Sequence, residues 1–262
     1  IGSTLPPALR GEKTAATAIT SSDVRIPGNS GLQSAFAALD NPGPDRSPLA
    51  AGIAHSGADL LTVQRDLHQL LGTSGSTTPS GGTNPGGTNP GASKSGAGRS
   101  RGTQSFADQL LTVASLIKAG APSRVYQVSL SSFDTHAGEK ADQERLLGDV
   151  DAGVTGFFSA LKGSPHADGV VLMTYSEFGR RIAENASGGT DHGTAAPLFI
   201  AGSAVKGGKF YGEEPSLTDI DPNGDLRFNV DFRSVYATML ERVLGVDPKS
   251  FLGAAFPTLD VV

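Results

Sequence analysis

The sequence predicts an α/β fold, a mostly parallel sheet with helices on both faces. Three observations lead there. Short, near-continuous apolar runs at Val125-Tyr126-Gln127-Val128-Ser129-Leu130, Gly169-Val170-Val171-Leu172-Met173 and Pro197-Leu198-Phe199-Ile200-Ala201-Gly202 have the length of strands buried on both faces. Segments of helical periodicity alternate with them. Clusters of acids and histidines sit beside their ends, where an open α/β sheet builds its sites.

The elements follow in order. Residues 1–45 are turn-rich, with a short helical piece at 31–39. Ser47-Pro48 supplies a helix N-cap followed by proline at the first helical position, and Leu49, Ile53, Leu60, Val63, Leu67 and Leu70 continue an apolar face as far as Gly72. Residues 73–102 are a low-complexity tract of Gly, Ser, Thr, Asn and Pro, in which Gly-Gly-Thr-Asn-Pro occurs at 81–85 and again at 86–90. Such a composition buries too little apolar area to offset its ordering entropy, so a flexible surface insertion is expected. Beyond it Phe106, Leu110, Val113 and Ile117 recur at helical spacing, closed by Gly120. A strand is expected at 124–131, a long helix at 139–162, strands at 169–175 and 196–201, and a short strand or hairpin at 209–212. The last helix starts at Asp231 as N-cap and stops before Gly245. The chain therefore divides into a helical, turn-rich part at 1–72, the insertion at 73–102 and an α/β core at 103–262.

Composition narrows the function. A formal charge of −5 and a pI near 5.5 argue against non-specific binding of nucleic acid, which needs a basic surface. No apolar run approaches the roughly 20 residues of a membrane-spanning helix. The absence of cysteine excludes a disulfide framework and a thiolate metal site. No glycine-x-serine-x-glycine elbow follows an expected strand, since its one match, Gly98-Arg99-Ser100-Arg101-Gly102, ends the low-complexity tract; phosphate-binding loops and dinucleotide fingerprints are missing.

Two of the five histidines lie in the acid–histidine clusters. Asp134 and His136 follow the first expected strand and, two residues apart, share a side if that strand continues. They offer carboxylate and imidazole to a hard or borderline divalent cation. The plainer alternative has Asp134 capping the next helix and His136 bonding a loop. Asp191 and His192 lie among Gly188, Gly189 and Gly193, where backbone can approach a ligand closely. Neighbouring residues rarely aim the same way, so His192 is the expected ligand and Asp191 its outer support; an ordinary turn is the alternative. Glu177 ends an apolar strand, where a carboxylate needs a partner. It could ligate metal, accept a proton, or pair with Arg180 or Arg181. Arg180 and Arg181 could also hold a phosphate or sulfate oxyanion, the alternative being a solvated face of adjacent arginines. His55, His68 and His166 read as surface residues, and the sequon Asn185-Ala186-Ser187 carries little weight.

The runs Ser132-Phe133-Asp134-Thr135-His136, Met173-Thr174-Tyr175-Ser176-Glu177-Phe178-Gly179-Arg180-Arg181 and Glu184-Asn185-Ala186-Ser187-Gly188-Gly189-Thr190-Asp191-His192-Gly193 closely resemble an uncharacterised bacterial family, domain of unknown function 1501. Val205-Lys206-Gly207-Gly208 and Asp231-Phe232-Arg233-Ser234-Val235-Tyr236 resemble its later motifs, and Leu5-Pro6-Pro7-Ala8-Leu9-Arg10-Gly11 a segment near its middle. That family is similar to the alkaline phosphatase and sulfatase superfamily, whose mostly parallel sheet carries metal ligands on loops at one edge. The resemblance implies that Asp134, His136 and His192 bind one metal. It sets Glu177 near the second-metal position, whose histidine is replaced by Phe178 or displaced. It also implies that the chain is a C-terminal part, lacking the first strands, the nucleophile region and a twin-arginine export signal. The expected function is a metal-dependent hydrolase of phosphate or sulfate esters, exported to the periplasm or beyond. Its metal would be zinc, calcium or magnesium, held by Asp134, His136, His192 and Glu177. Glu177 and Arg180 would act in catalysis, and the substrate would be a small-molecule or polymeric ester. The alternative is an exported binding or scaffold protein that keeps the fold without the chemistry.

Overall fold

The structure, a computed structural model, describes residues 105–262. The helices expected at 31–39 and 47–72, the insertion at 73–102, His55 and His68 lie outside the described residues. The chain divides into two compact units, one containing residues 105–121 and 126–129 of the described part, the other residues 122–125 and 130–262.

In the first unit, helix α1 spans Phe106–Lys118. The Ser105 hydroxyl accepts from the Asp108 amide at its start. At its end Gly120 adopts φ 75° and donates to the Ile117 carbonyl, and the Ala121 amide donates to that of Leu116. These two bonds satisfy the last-turn carbonyls as in a Schellman motif. Leu110, Val113, Ala114 and Leu116 are buried. Gln109 exchanges two hydrogen bonds with the backbone of Ser129, at 3.2 and 3.3 Å. The stretch expected as the first strand, 124–131, forms no ladder among the described residues.

In the second unit, helix α2 spans Glu139–Leu161 and buries Leu146, Gly153, Phe157 and Leu161 on one face. Leu147, one residue off that stripe, is exposed. No side chain caps its start, where Gly138 sits at φ 56°. The Gly138 and Glu139 amides donate instead to the Ser187 and Gly188 carbonyls, at 3.2 and 3.1 Å. Those carbonyls belong to the tip of a hairpin, so the hairpin satisfies the orphan amides of the helix.

Strand β1 (Val171–Met173) pairs antiparallel with β4 (Ile200–Gly202), and β2 (Gly179–Glu184) pairs antiparallel with β3 (Thr190–Gly193). The expected strands at 169–175 and 196–201 are thus present as shorter cores. In the second ladder Arg180 lies opposite His192, and the register shifts between Arg180 and Glu184. The hairpin expected at 209–212 forms no strand. There the Asn229 side chain bonds both the amide and the carbonyl of Glu213.

Helix α3 (Phe232–Thr238) begins as expected, with the Asp231 carboxylate accepting from the Arg233 amide. It runs into a π-helical turn at Met239–Val243, and helix α4 covers Lys249–Leu252. Thr238 is fully buried; its hydroxyl donates to the Ser234 carbonyl at 2.7 Å and accepts from the Leu259 amide at 2.8 Å. The last residues are fastened further by the Lys206 amide, which donates to the Val261 carbonyl.

Candidate metal centre

Two segments bring the acid–histidine clusters together. Residues 133–136 precede helix α2, and β3 carries Asp191 and His192. The close approach depends on glycine at 189, where a Cβ would stand 2.7 Å from the His136 carbonyl carbon and oxygen. One ligand atom from each of Asp134, His136 and His192 lies within 4.8 Å of the others. Asp134 Oδ1 is 2.7 Å from His192 Nε2 and 3.0 Å from His136 Nε2. All three side chains are exposed. Asp134 therefore does not cap the following helix; it bridges two imidazoles.

Asp191 takes the outer position. Its Oδ1 lies 3.4 Å from His136 Nδ1 and accepts from Asn185 Nδ2 at the same distance. The Asn185 amide also donates to the His136 carbonyl, and its oxygen accepts from the Ser187 and Gly189 amides. The sequon asparagine is thus the bracket that shapes the hairpin tip and steadies Asp191. Its bond, followed by that of His136, lowers the Asp191 pKa. The hydrogen bond from His192, aided by the charges of His192 and His136, likewise holds the Asp134 carboxyl below its ordinary range.

Both ring nitrogens of His136 face a carboxylate oxygen. An ionised carboxylate only accepts, so both contacts are satisfied when each ring nitrogen carries a proton, and a ring with one N–H satisfies only one of them. A cation between Nε2 and Asp134 would satisfy the other, with Asp191 holding Nδ1–H in the way metal-bound histidines are held. The donor set of one carboxylate oxygen and two imidazole nitrogens suits zinc or a similar borderline ion better than calcium, which favours oxygen ligands. Ligand atoms around a tetrahedral zinc sit about 3.4 Å apart by simple geometry. For an ion to sit among them, the contacts at 2.7 and 3.0 Å would open and the two imidazole nitrogens, within 4.8 Å of each other, would come to that spacing.

Glu177 is not among the three clustered ligands. β1 ends at Met173, so Glu177 lies in the loop beyond it and is exposed rather than at a buried strand end. Neither arginine pairs with it: Arg180 pairs with Glu139 at 3.5 Å, and Arg181 with the buried Asp225 at 3.1 Å. Phe178 stacks on His192, ring centroids 3.7 Å apart and planes at 7°. Arg180 directs its guanidinium to the carbonyls of Phe133, Thr135 and Thr190. His166 is exposed, as expected.

The model of the family described as protein of unknown function (DUF1501) matches residues 59–256. The chain belongs to this family. All the side chains around the cluster fall inside the matched span. Neither the search of curated proteins nor that of solved structures gave a match.

Glu139 and Thr190 support the site but were not singled out from sequence, and Asn185 entered there only as part of a sequon of little weight. Glu139 Oε2 accepts from both the amide and the hydroxyl of Thr190, at 2.6 and 2.7 Å. Glu139 looks like an ordinary first-turn acid of a helix, and its partner is 51 residues away. Asn185 carried a signal, its place four residues before Gly189 at the head of a glycine-rich turn.

Proposed function

We propose that this chain is part of a metal-dependent hydrolase of phosphate or sulfate esters, with the mostly parallel α/β fold of the alkaline phosphatase and sulfatase superfamily. The observation that carries this reading is the convergence of Asp134, His136 and His192 from two distant segments, with Asp191 behind His136. A coordinated divalent ion would polarise a phosphoryl or sulfuryl oxygen and stabilise the charge that develops on it.

The roles of the chain's own residues follow from their surroundings. Asp134, His136 and His192 supply ligand atoms. Asp191 orients His136, and Phe178 holds the plane of His192. Glu177 is the candidate proton acceptor, being exposed and without an ion pair among the described residues. Export follows from the family resemblance, and we include it in the proposal.

A second reading, an exported scaffold that keeps the fold without the chemistry, draws on one observation. Phe178 covers a face of His192 where the resemblance would set a histidine for a second metal. Two measurements on the full chain separate the readings. The hydrolase requires stoichiometric divalent metal by elemental analysis and turnover within a panel of phosphate and sulfate esters. It also requires that His192→Ala abolish both while leaving the fold intact. A metal-free protein inert across the panel would leave the scaffold.

A further inference from the structure

We infer that Arg180 is the positioning residue of this site, clamping the segment that carries Asp134 and His136 to the strand that carries His192. The inference rests on the metal-site reading above. Arg180 Nη1 donates to the Thr135 and Thr190 carbonyls, each at 2.7 Å. Its Nη2 donates to the Phe133 carbonyl and lies 3.4 Å from the Thr135 hydroxyl. Phe133 and Thr135 flank Asp134, Thr135 separates it from His136, and Thr190 stands two residues before His192. One guanidinium therefore holds backbone on both sides of the cluster.

Asn185, which donates to the His136 carbonyl, and the Gly138 and Glu139 amides also tie this segment to the hairpin, whereas Arg180 holds the backbone on both sides of Asp134. Residues 131–136 belong to no ladder. Their position relative to β3 cannot come from strand register, although Arg180 itself is in register with His192. A planar fork of five fixed donors converts three carbonyl positions into one rigid distance. Glu139 aligns that fork. Its carboxylate pairs with Arg180 Nε at 3.5 Å and takes two bonds from Thr190, so it ties the arginine to the same strand. The side chains of Arg180 and Glu139 are only 20% and 13% exposed, where an unpaired charge is costly. An arginine with its donors committed in this way has little left for a substrate oxyanion, so its effect on chemistry passes through the ligands. A lysine at 180 keeps the charge but cannot span the carbonyls.

The test uses the full chain, Co²⁺ as probe, and Arg180→Lys and Glu139→Gln as variants. Calorimetry and the visible absorption of bound Co²⁺ report the ligand set. A nuclear Overhauser cross-peak between the His136 and His192 rings, whose centroids lie 4.8 Å apart, reports their spacing without metal. Arg180→Lys should weaken Co²⁺ binding by about 10- to 100-fold, the range for lost outer-sphere support, alter the absorption band and weaken the cross-peak. Glu139→Gln should shift all three in the same direction by less. Wild-type affinity, spectrum and cross-peak in a folded Arg180→Lys protein would overturn the clamp. If that variant does not fold, Glu139→Gln decides in the same way. If wild-type protein binds no Co²⁺, the metal reading fails separately, and the cross-peak alone judges the clamp: its loss in the variant supports it and its persistence overturns it.

Discussion

Phe178 lies flat against His192, the two rings 3.7 Å apart and nearly parallel. The contact restricts rotation of the imidazole while Nε2 points at Asp134. Offset and edge-to-face aromatic pairs contribute about 0.5–1.5 kcal/mol beyond their buried area, which sets an upper range for this face-to-face pair. Phe178→Ala should therefore weaken divalent metal binding by about 2- to 10-fold, read by calorimetric titration, with the metal-to-protein ratio unchanged. Unaltered affinity would mean that the ring does not orient the histidine.

His192→Ala removes a part-exposed ligand together with its stack on Phe178 and its bond to Asp134. Metal content should fall to background, and the unfolding free energy from urea titration in metal-free buffer should fall by no more than about 1.5 kcal/mol, the upper range for an aromatic pair. A larger loss of stability in metal-free buffer would mark His192 as a packing residue.

Gly189→Ala sets a methyl group against the His136 carbonyl, with backbone on both sides of the clash. Overpacking of this kind costs about 1–3 kcal/mol. The expected outcome is a lower melting temperature together with weaker metal binding, because relief of the clash separates His136 from β3. Stability and affinity both at wild-type level would contradict the close approach.

Thr238→Val keeps the volume of a fully buried side chain and removes two hydrogen bonds. The Leu259 amide loses its acceptor, at a cost of about 1–3 kcal/mol. Chemical denaturation should show that loss while metal affinity is preserved, since Thr238 belongs to helix α3 and not to the site.

Acid sensitivity should depend on Glu139. Burial raises its pKa, but the hydrogen bonds from Thr190, the charge of Arg180 and the Gln143 amide outweigh it and lower the pKa from the ordinary 4.5. The unfolded chain then takes up the proton first as pH falls. The contribution is complete above the ordinary value and disappears as pH drops through the lowered folded value. Urea midpoints followed from about pH 7 to about pH 3.5 should fall less steeply in Glu139→Gln than in wild type. Parallel curves would show that Glu139 is not a source of the acid lability.

Much of the site was legible because local chemistry marks it. Asp134, His136 and His192 are scarce ligand types in glycine-rich or post-apolar contexts, and Asp191 took its outer role because neighbours on a strand diverge. Helices α1, α2 and α3 were legible from apolar spacing and from Gly120 and Asp231 at their ends. Glu177 misled for a physical reason: an apolar run does not reveal where its ladder stops, and β1 ends at Met173. The roles of Glu139 and Arg180 were hidden because they bond to backbone carbonyls, amides and a threonine far along the chain. Main-chain partners leave no pattern in side-chain identities. That 124–131 would join no ladder was illegible likewise, since strand propensity names no partner.

The hairpin tip that accepts the first amides of α2 also gives the site a mechanical connection. At 23 residues, α2 is a rod about 35 Å long. Its near end is attached to the Ser187 and Gly188 carbonyls and not to a capping side chain of its own. A displacement of the tip would then tug on the helix axis, and α2 would act as a lever carrying sub-ångström motion beside His192 to the buried Leu161 at its far end.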